Sequence, residues 1–320
     1  MIVSQRFKAS LLVLTGAASY GILSTFVKLA YKDGFSPAEV TGSQVLFGFV
    51  ALWLLGIPFW GYMKKMRRIV FLKLLGSGVF TGLTGVFYYY ALQTLSASFA
   101  VLLLFQFTWM GLLADWLLQK KAPNRFQLIG VVVVLAGTLF ASGFLEGSVP
   151  QLSWTGIGLG LLAAASYTLT VYFSGRVATE VPAILRSSWM LTGAVIVVSL
   201  IYPPTFLWSG ALTNGLWGWA VILSLFGMIL PPYLFAKGAP HLSTGVASII
   251  GAIELPVVIV CSSLLLHERT GLLQWLGIGL IFAGIVVSEW KSKRASQSEP
   301  KLAAPETDRP REATGSDRFM

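Results

Sequence analysis

The chain has 320 residues, 55% of them hydrophobic and 11% charged, and its apolar runs repeatedly exceed the roughly 20 residues that a bilayer-crossing helix needs. A transmembrane barrel is excluded, because continuous runs such as 97–118 show no strand alternation. The formal charge of +10 does not point to nucleic acid: the cations sit in short clusters beside apolar runs, with no basic stripe alternating with exposed aromatics.

Taken in order, ten apolar spans are predicted, at about 10–31, 38–60, 70–91, 96–118, 126–144, 153–174, 185–203, 215–236, 242–266 and 271–290. Arg6 and Lys8 precede the first span, whose run continues to about Ala30, which favours a retained helix over a cleaved signal peptide. With ten spans both ends share one side, where Lys64, Lys65, Arg67, Arg68, Lys120, Lys121, Arg125, Arg176, Lys291, Lys293 and Arg294 also fall. The opposite loops offer Lys32 and Arg269, so both termini are expected in the cytoplasm and the chain in the plasma membrane. Residues 291–320 are rich in Pro, Ser, Ala and mixed charge and read as a disordered cytoplasmic tail. The single cysteine, Cys261, excludes an intrachain disulfide.

Polar side chains recur along one side of several spans. Helix one shows Gly16, Tyr20, Ser24 and Lys28; helix three Ser77, Thr81, Thr84 and Tyr88; helix six Tyr167, Thr170 and Ser174. Helix nine carries Thr244, Ala247, Ser248, Gly251, Glu254, Cys261 and Ser262 at spacings near three or four. A carboxylate at mid-span costs on the order of 2.5 to 3.5 kcal/mol on insertion scales, so Glu254 is expected to face the bundle interior and to mark an ion or substrate path. Pro256 cannot donate to the carbonyl of Ala252, which predicts a kink with an open acceptor beside that carboxylate. Gln44, Gln106, Trp109 and Trp189 are further candidates, as hydrogen-bonding amides and aromatic walls. Arg186, Lys237 and Asp115 lie near span ends, where snorkelling to the surface is expected.

Helices five and ten carry Gly and Ala but almost nothing polar beyond their first residue, which suits close packing or a homodimer contact. Gly156, Gly158 and Gly160 sit inside an apolar run with no strand before them, so they read as packing residues and not as a phosphate loop. His241 and His267 fall at opposite faces, which supports no metal site, and no nucleophile and base pair emerges from the spacing. No cofactor and no enzyme activity are expected.

The halves align at one offset of 147 residues without a gap: Ser19 and Tyr20 fall on Ser166 and Tyr167, Leu95 and Ser96 on Leu242 and Ser243, Gln127 and Gly130 on Gln274 and Gly277. A five-helix unit used twice must enter the membrane from opposite faces, because five is odd. The expected fold is therefore an all-α polytopic membrane protein, ten transmembrane helices as two inverted five-helix repeats. Its parts are an N-terminus over 1–9, repeats over 10–145 and 153–290, and the tail.

Two copies of five helices, each with a short turn and then Gln-x-x-Gly-x-x-x-x-x-Ala-Gly, resemble the paired EamA domains of the drug/metabolite transporter superfamily. The likeness is strongest in the second copy, through Ala247 to Pro256 and LLLHERTGLLQWLGIGLIFAGIVV. In the first, Lys121 replaces the acid that the family often has at the turn and that Glu268 supplies in the second. The resemblance implies a central cavity, helices five and ten at the periphery, and movement of a small-molecule substrate by alternating access without ATP hydrolysis.

The reading from sequence is a secondary transporter in the lipid bilayer, exporting small polar, amino-acid-like metabolites, with Glu254 binding a proton or a cationic group. Gln106, Tyr20, Tyr88 and Gln44 are assigned hydrogen bonds to substrate, Trp109 and Trp189 the walls. Efflux of lipophilic or cationic drugs, and a non-transporting scaffold or sensor, are the alternatives.

Overall fold

A computed structural model describes residues 2–64, 66–146, 153–267 and 270–290. Lys65, Glu268, Arg269 and the tail 291–320, on which sequence readings fall, lie outside these. Among the described residues the structure is entirely helical. The membrane helices are α1 (Gln5–Lys32), α2 (Pro37–Met63), α3 (Arg68–Thr94), α4 (Phe99–Gln119), α5 (Arg125–Ala141), α6 (Trp154–Arg176), α7 (Ala183–Ile201), α8 (Leu212–His241), α9 (Thr244–Leu266) and α10 (Leu272–Glu289). Among the described residues nine are long and apolar enough to cross a membrane, and α5 is shorter, at 17 residues. Side chains such as Leu54, Leu72, Val132 and Leu200 point outward, as lipid contact requires. The longest departure from the expected boundaries is α8, where two π-turns, Leu212–Leu216 and Leu225–Ile229, are built into the helix. Pro231 and Pro232 then open the next α-helical stretch, where a missing N–H costs little.

The repeat is written into the backbone. Ser96 caps the start of Ala97–Leu104 by accepting from Phe99 N–H, and Ser243 caps Thr244–Gly251 by accepting from Val246 N–H. Both helices then break and resume, as Phe107–Gln119 and Glu254–Leu266, and both end on a left-handed residue, Lys120 at φ 55° and His267 at φ 54°. Gln127 accepts from Asn124 N–H at 2.9 Å, and Gln274 from Gly271 N–H at 3.0 Å. Each of these pairs is separated by the offset of the sequence repeat.

Equivalent helices run antiparallel, which makes the repeat an inverted one. In α5 and α10 a Cβ on Gly130 would lie 2.8 Å from the Gly284 carbonyl, while one on Gly137 would lie 2.9 Å from that of Gly277. Lipid tails supply no hydrophobic drive between helices, so such close backbone contact through small residues holds the pair. The expectation of close packing for these two apolar helices is met by their packing against each other.

Arg6 Nε stands 3.7 Å from Glu289 Oε2, joining the start of α1 to the end of α10. A Cβ on Gly238 would meet the Ala9 carbonyl at 2.7 Å, and one on Gly175 the Ala239 carbonyl at 3.0 Å. The ends of α6 and α8 therefore share this side of the molecule, here called the terminal face. Trp219 Nε1 donates to Asp33 at 2.9 Å, joining α8 and the end of α1 at the far face.

Two charged residues depart from expectation. Asp115 and Arg186 do not snorkel: they are 4% and 1% exposed. Each finds backbone groups of neighbouring helices to bond, so neither has to reach water. Lys237 does reach the surface, its Nζ 4.6 Å from the centre of the Tyr233 ring.

Candidate functional site

The site is built where α4 and α9 break. In α9 the break falls at Ala252 and Ile253, and Glu254 opens the second segment. The acceptor that Pro256 cannot serve is not left open: the Ala252 carbonyl takes the Leu255 N–H at 3.3 Å. Proline is not the underlying cause, because α4 breaks at the equivalent Phe105 and Gln106, where the repeat places Trp109 opposite Pro256. A Cβ on Gly21 of α1 would lie 2.6 Å from the Glu254 carbonyl and 2.7 Å from Val257 Cβ, so only glycine lets α1 rest on this break.

Glu254 is half-buried, and among the described residues its carboxyl takes no hydrogen bond or ion pair. Tyr20 and Tyr167 pack in the core that also holds Ala252, Ile253 and Leu255 around the break, while Tyr88 stands beside Tyr89 with ring centroids 6.2 Å apart. Tyr20 meets Tyr167 edge-on with centroids 6.3 Å apart, and Tyr167 meets Phe107 edge-on at 4.7 Å. Phe107 is the repeat equivalent of Glu254 and is fully buried, so one half supplies a core ring where the other supplies an acid. Beside them, Tyr20, Thr81, Tyr167 and Thr170 line a cavity of ≈ 20 Å³, which is space for about one water.

The other predicted residues are distributed unevenly. Gln106 and Trp109 come together, Trp109 Nε1 donating to Gln106 Oε1 at 2.9 Å, while Gln106 Nε2 donates to the Leu102 carbonyl at 3.0 Å. Gln44 is 4% exposed with a buried Oε1 that has no partner. Trp189 stands apart, packed against Trp53 and Phe71 at 5.1 and 4.9 Å near the terminal face. Lys28 is exposed two turns of α1 beyond Tyr20, toward the far face. Tyr167 is legible in the sequence through its alignment with Tyr20.

The two faces of the α4 and α9 pair differ. At the terminal face the second segment of α4 packs on the first of α9, and Asp115 accepts from Thr244 N–H at 3.0 Å and Gly245 N–H at 2.7 Å. Gln119 donates to Asp115 at 2.6 Å and accepts from Arg176 at 2.9 Å. A Cβ on Gly111 would lie 3.2 Å from the Thr244 carbonyl, and one on Gly245 3.1 Å from Leu112 Cα. The equivalent segments at the far face, Ala97–Leu104 and Glu254–Leu266, are not packed together in this way. Ser262, the equivalent of Asp115, keeps a buried hydroxyl with no partner.

Polar walls, broken helices at mid-bundle and two inverted halves define the chain as a polytopic membrane transporter in architecture. The EamA-like transporter family matches residues 7–143 and 154–290, one match in each half, and the chain belongs to that family. It is similar to the uncharacterized transporter YcbK of Bacillus subtilis, 23% identical over 300 residues covering 91% of this chain and 95% of that one. An uncharacterized transporter of Archaeoglobus fulgidus is 26% identical over 281 residues, 87% of this chain and 95% of that one. A solved crystal structure superposes with a TM-score of 0.73 at 17% identity, over 90% of this chain and 98% of its own, and shares the fold.

Proposed function

We propose that the chain is a secondary transporter that exports small polar, amino-acid-like metabolites by alternating access of its halves, 10–145 and 153–290. It works in the plasma membrane with both termini in the cytoplasm, as the lysine and arginine count favours. The observation that carries this reading is the asymmetry of the α4 and α9 pair: a symmetric frame is closed by packing and by Asp115 at one face and not at the other. Exchanging the two arrangements would exchange the open face.

Glu254 takes the central role, binding either a proton or the cationic group of the substrate, with Tyr20, Tyr88 and Tyr167 around it. Gln106 and Gln44 offer amides, and Trp109 a wall. That the Glu254 carboxyl takes no hydrogen bond or ion pair among the described residues supports this, since a carboxyl kept only for structure would be expected to hold one. An acid among aromatic rings also suits an aromatic cation, so drug efflux is the second reading.

Flux into liposomes under an imposed pH gradient tests both. Amino-acid flux that responds to the gradient, and that loses this response in Glu254→Gln, is expected. A folded Glu254→Gln protein with unchanged flux and pH response would sink the role of the acid, and competition by aromatic cations alone would transfer the substrate class to the second reading.

A further inference from the structure

At the terminal face, where α6 ends, α7 begins and α8 ends, lies a second cavity of ≈ 640 Å³ that shares no lining residue with the one between Tyr20 and Tyr167. Arg176, Arg186, Lys237 and His241 line it. Its volume falls within the range of small-molecule sites, and its cationic wall distinguishes it from the apolar and hydroxyl-lined centre of the bundle.

Arg186 is the informative member. It is 1% exposed, and its guanidinium donates to the carbonyls of Ala236, at 2.8 Å, and Ser174. Both acceptors are neutral, and the buried Nε has no partner. A buried cation is costly unless an opposite charge compensates it. Among the described residues no carboxylate lies within 4.0 Å of Arg186, Arg176 or Lys237. Glu180, which is exposed, acts on Arg186 from farther away. Arg176 bonds Gln119 and the Leu242 carbonyl, also neutral, and Lys237 rests on Tyr233. Asp115 is reached from Arg176 only through the Gln119 amide, so three cations from three helices line one cavity with no carboxylate in direct contact among the described residues.

We propose that this cavity is a phosphate-binding pocket, filled by the phosphate of an anionic lipid headgroup or of a soluble phosphorylated small molecule. Donors from three helices suit a tetrahedral group with one or two charges and several acceptor oxygens better than a planar carboxylate, which one arginine can satisfy with two parallel bonds. Basic pockets between membrane helices at this face are general binding places for phosphate headgroups. The pocket stands independently of the transport reading, because it uses none of the residues around Glu254.

The purified full chain, stripped of lipid, would be titrated with inorganic phosphate and with glycerol phosphate at constant ionic strength against chloride, following the thermal midpoint by tryptophan fluorescence. In parallel, native mass spectrometry would compare retention of phosphatidylglycerol and phosphatidylcholine. Saturable stabilisation by the soluble anions identifies that source, and preferential retention of phosphatidylglycerol identifies the lipid; either must weaken by about tenfold or more in Arg176→Gln with Lys237→Gln, as the loss of charge-assisted bonds implies. Should the double variant fail to fold, Lys237→Gln alone, whose ammonium touches only the Tyr233 ring, carries the comparison. Phosphate no better than chloride together with no preference between the lipids, or binding that the variants leave unchanged, overturns the proposal.

Discussion

Asp115→Asn should open the terminal face. The carboxylate accepts two N–H groups from the first turn of α9, at 3.0 and 2.7 Å, and a third hydrogen bond from Gln119. A hydrogen bond to a charged group contributes about 1.5 to 3 kcal/mol, and an anion at a helix N-terminus adds a few tenths to 1. The amide keeps one accepting oxygen, so the net loss is about 2 kcal/mol, or roughly 30-fold in the opening equilibrium. Leu242, 5% exposed beside this closure, becomes a reporter as Leu242→Cys in a Cys261→Ser background. Its labelling by an impermeant maleimide proceeds through the open form, so the rate should rise by about the same factor. An unchanged rate in a folded Asp115→Asn protein would refute Asp115 as the latch.

Three further outcomes follow from the packing. Gly137→Val drives a side chain into the Gly277 carbonyl, 2.9 Å from a Cβ, and should lower stability by about 1 to 3 kcal/mol, read as a lower midpoint in fluorescence-detected size exclusion. Pro256→Ala should leave the break at Ala252 and Ile253 in place, since α4 breaks at the same point without proline; amide exchange that becomes continuous through 251–255 would contradict this. Ser262→Asp places a carboxylate opposite the start of Ala97–Leu104 and should favour closure of the far face, seen as faster labelling of Leu242→Cys; slower or unchanged labelling counts against it.

Much of the fold was legible because each layer of it leaves a linear trace: apolar length marks spans, lysines and arginines mark a side, and one gapless offset marks the repeat. The break in α4 left none, since Phe105 and Gln106 are neither glycine nor proline, although Pro256 in the second copy could have been transferred along the repeat. Asp115 and Arg186 were misjudged because their partners are backbone N–H and C=O groups, which have no residue signature. Trp189 was legible by counting, as six residues past the start of α7 place it only about 9 Å from the terminal face. Of the candidate site, Tyr20 meets Tyr167 near the break of α9, but polar stripes on separate helices do not reveal at which depth they meet.

The departures from symmetry bear on which state is favoured. Glu254 faces Phe107 across the repeat, Asp115 faces Ser262, and Pro256 faces Trp109, while the caps, breaks and glycine contacts are preserved. If the halves exchanged arrangements, the start of α4 would meet Ser262 in place of a carboxylate. A hydroxyl contributes about 1 kcal/mol to such a contact, against the 1.5 to 3 of each of the two charged bonds that Asp115 takes from backbone N–H groups, so the exchanged state would be disfavoured by roughly 2 to 5 kcal/mol before any substrate binds. Under the proposed alternating access, a substrate would reverse that bias by binding the exchanged state more tightly by at least the same free energy. If the proposed alternating access holds, the asymmetric residues set which of the two arrangements is the resting one.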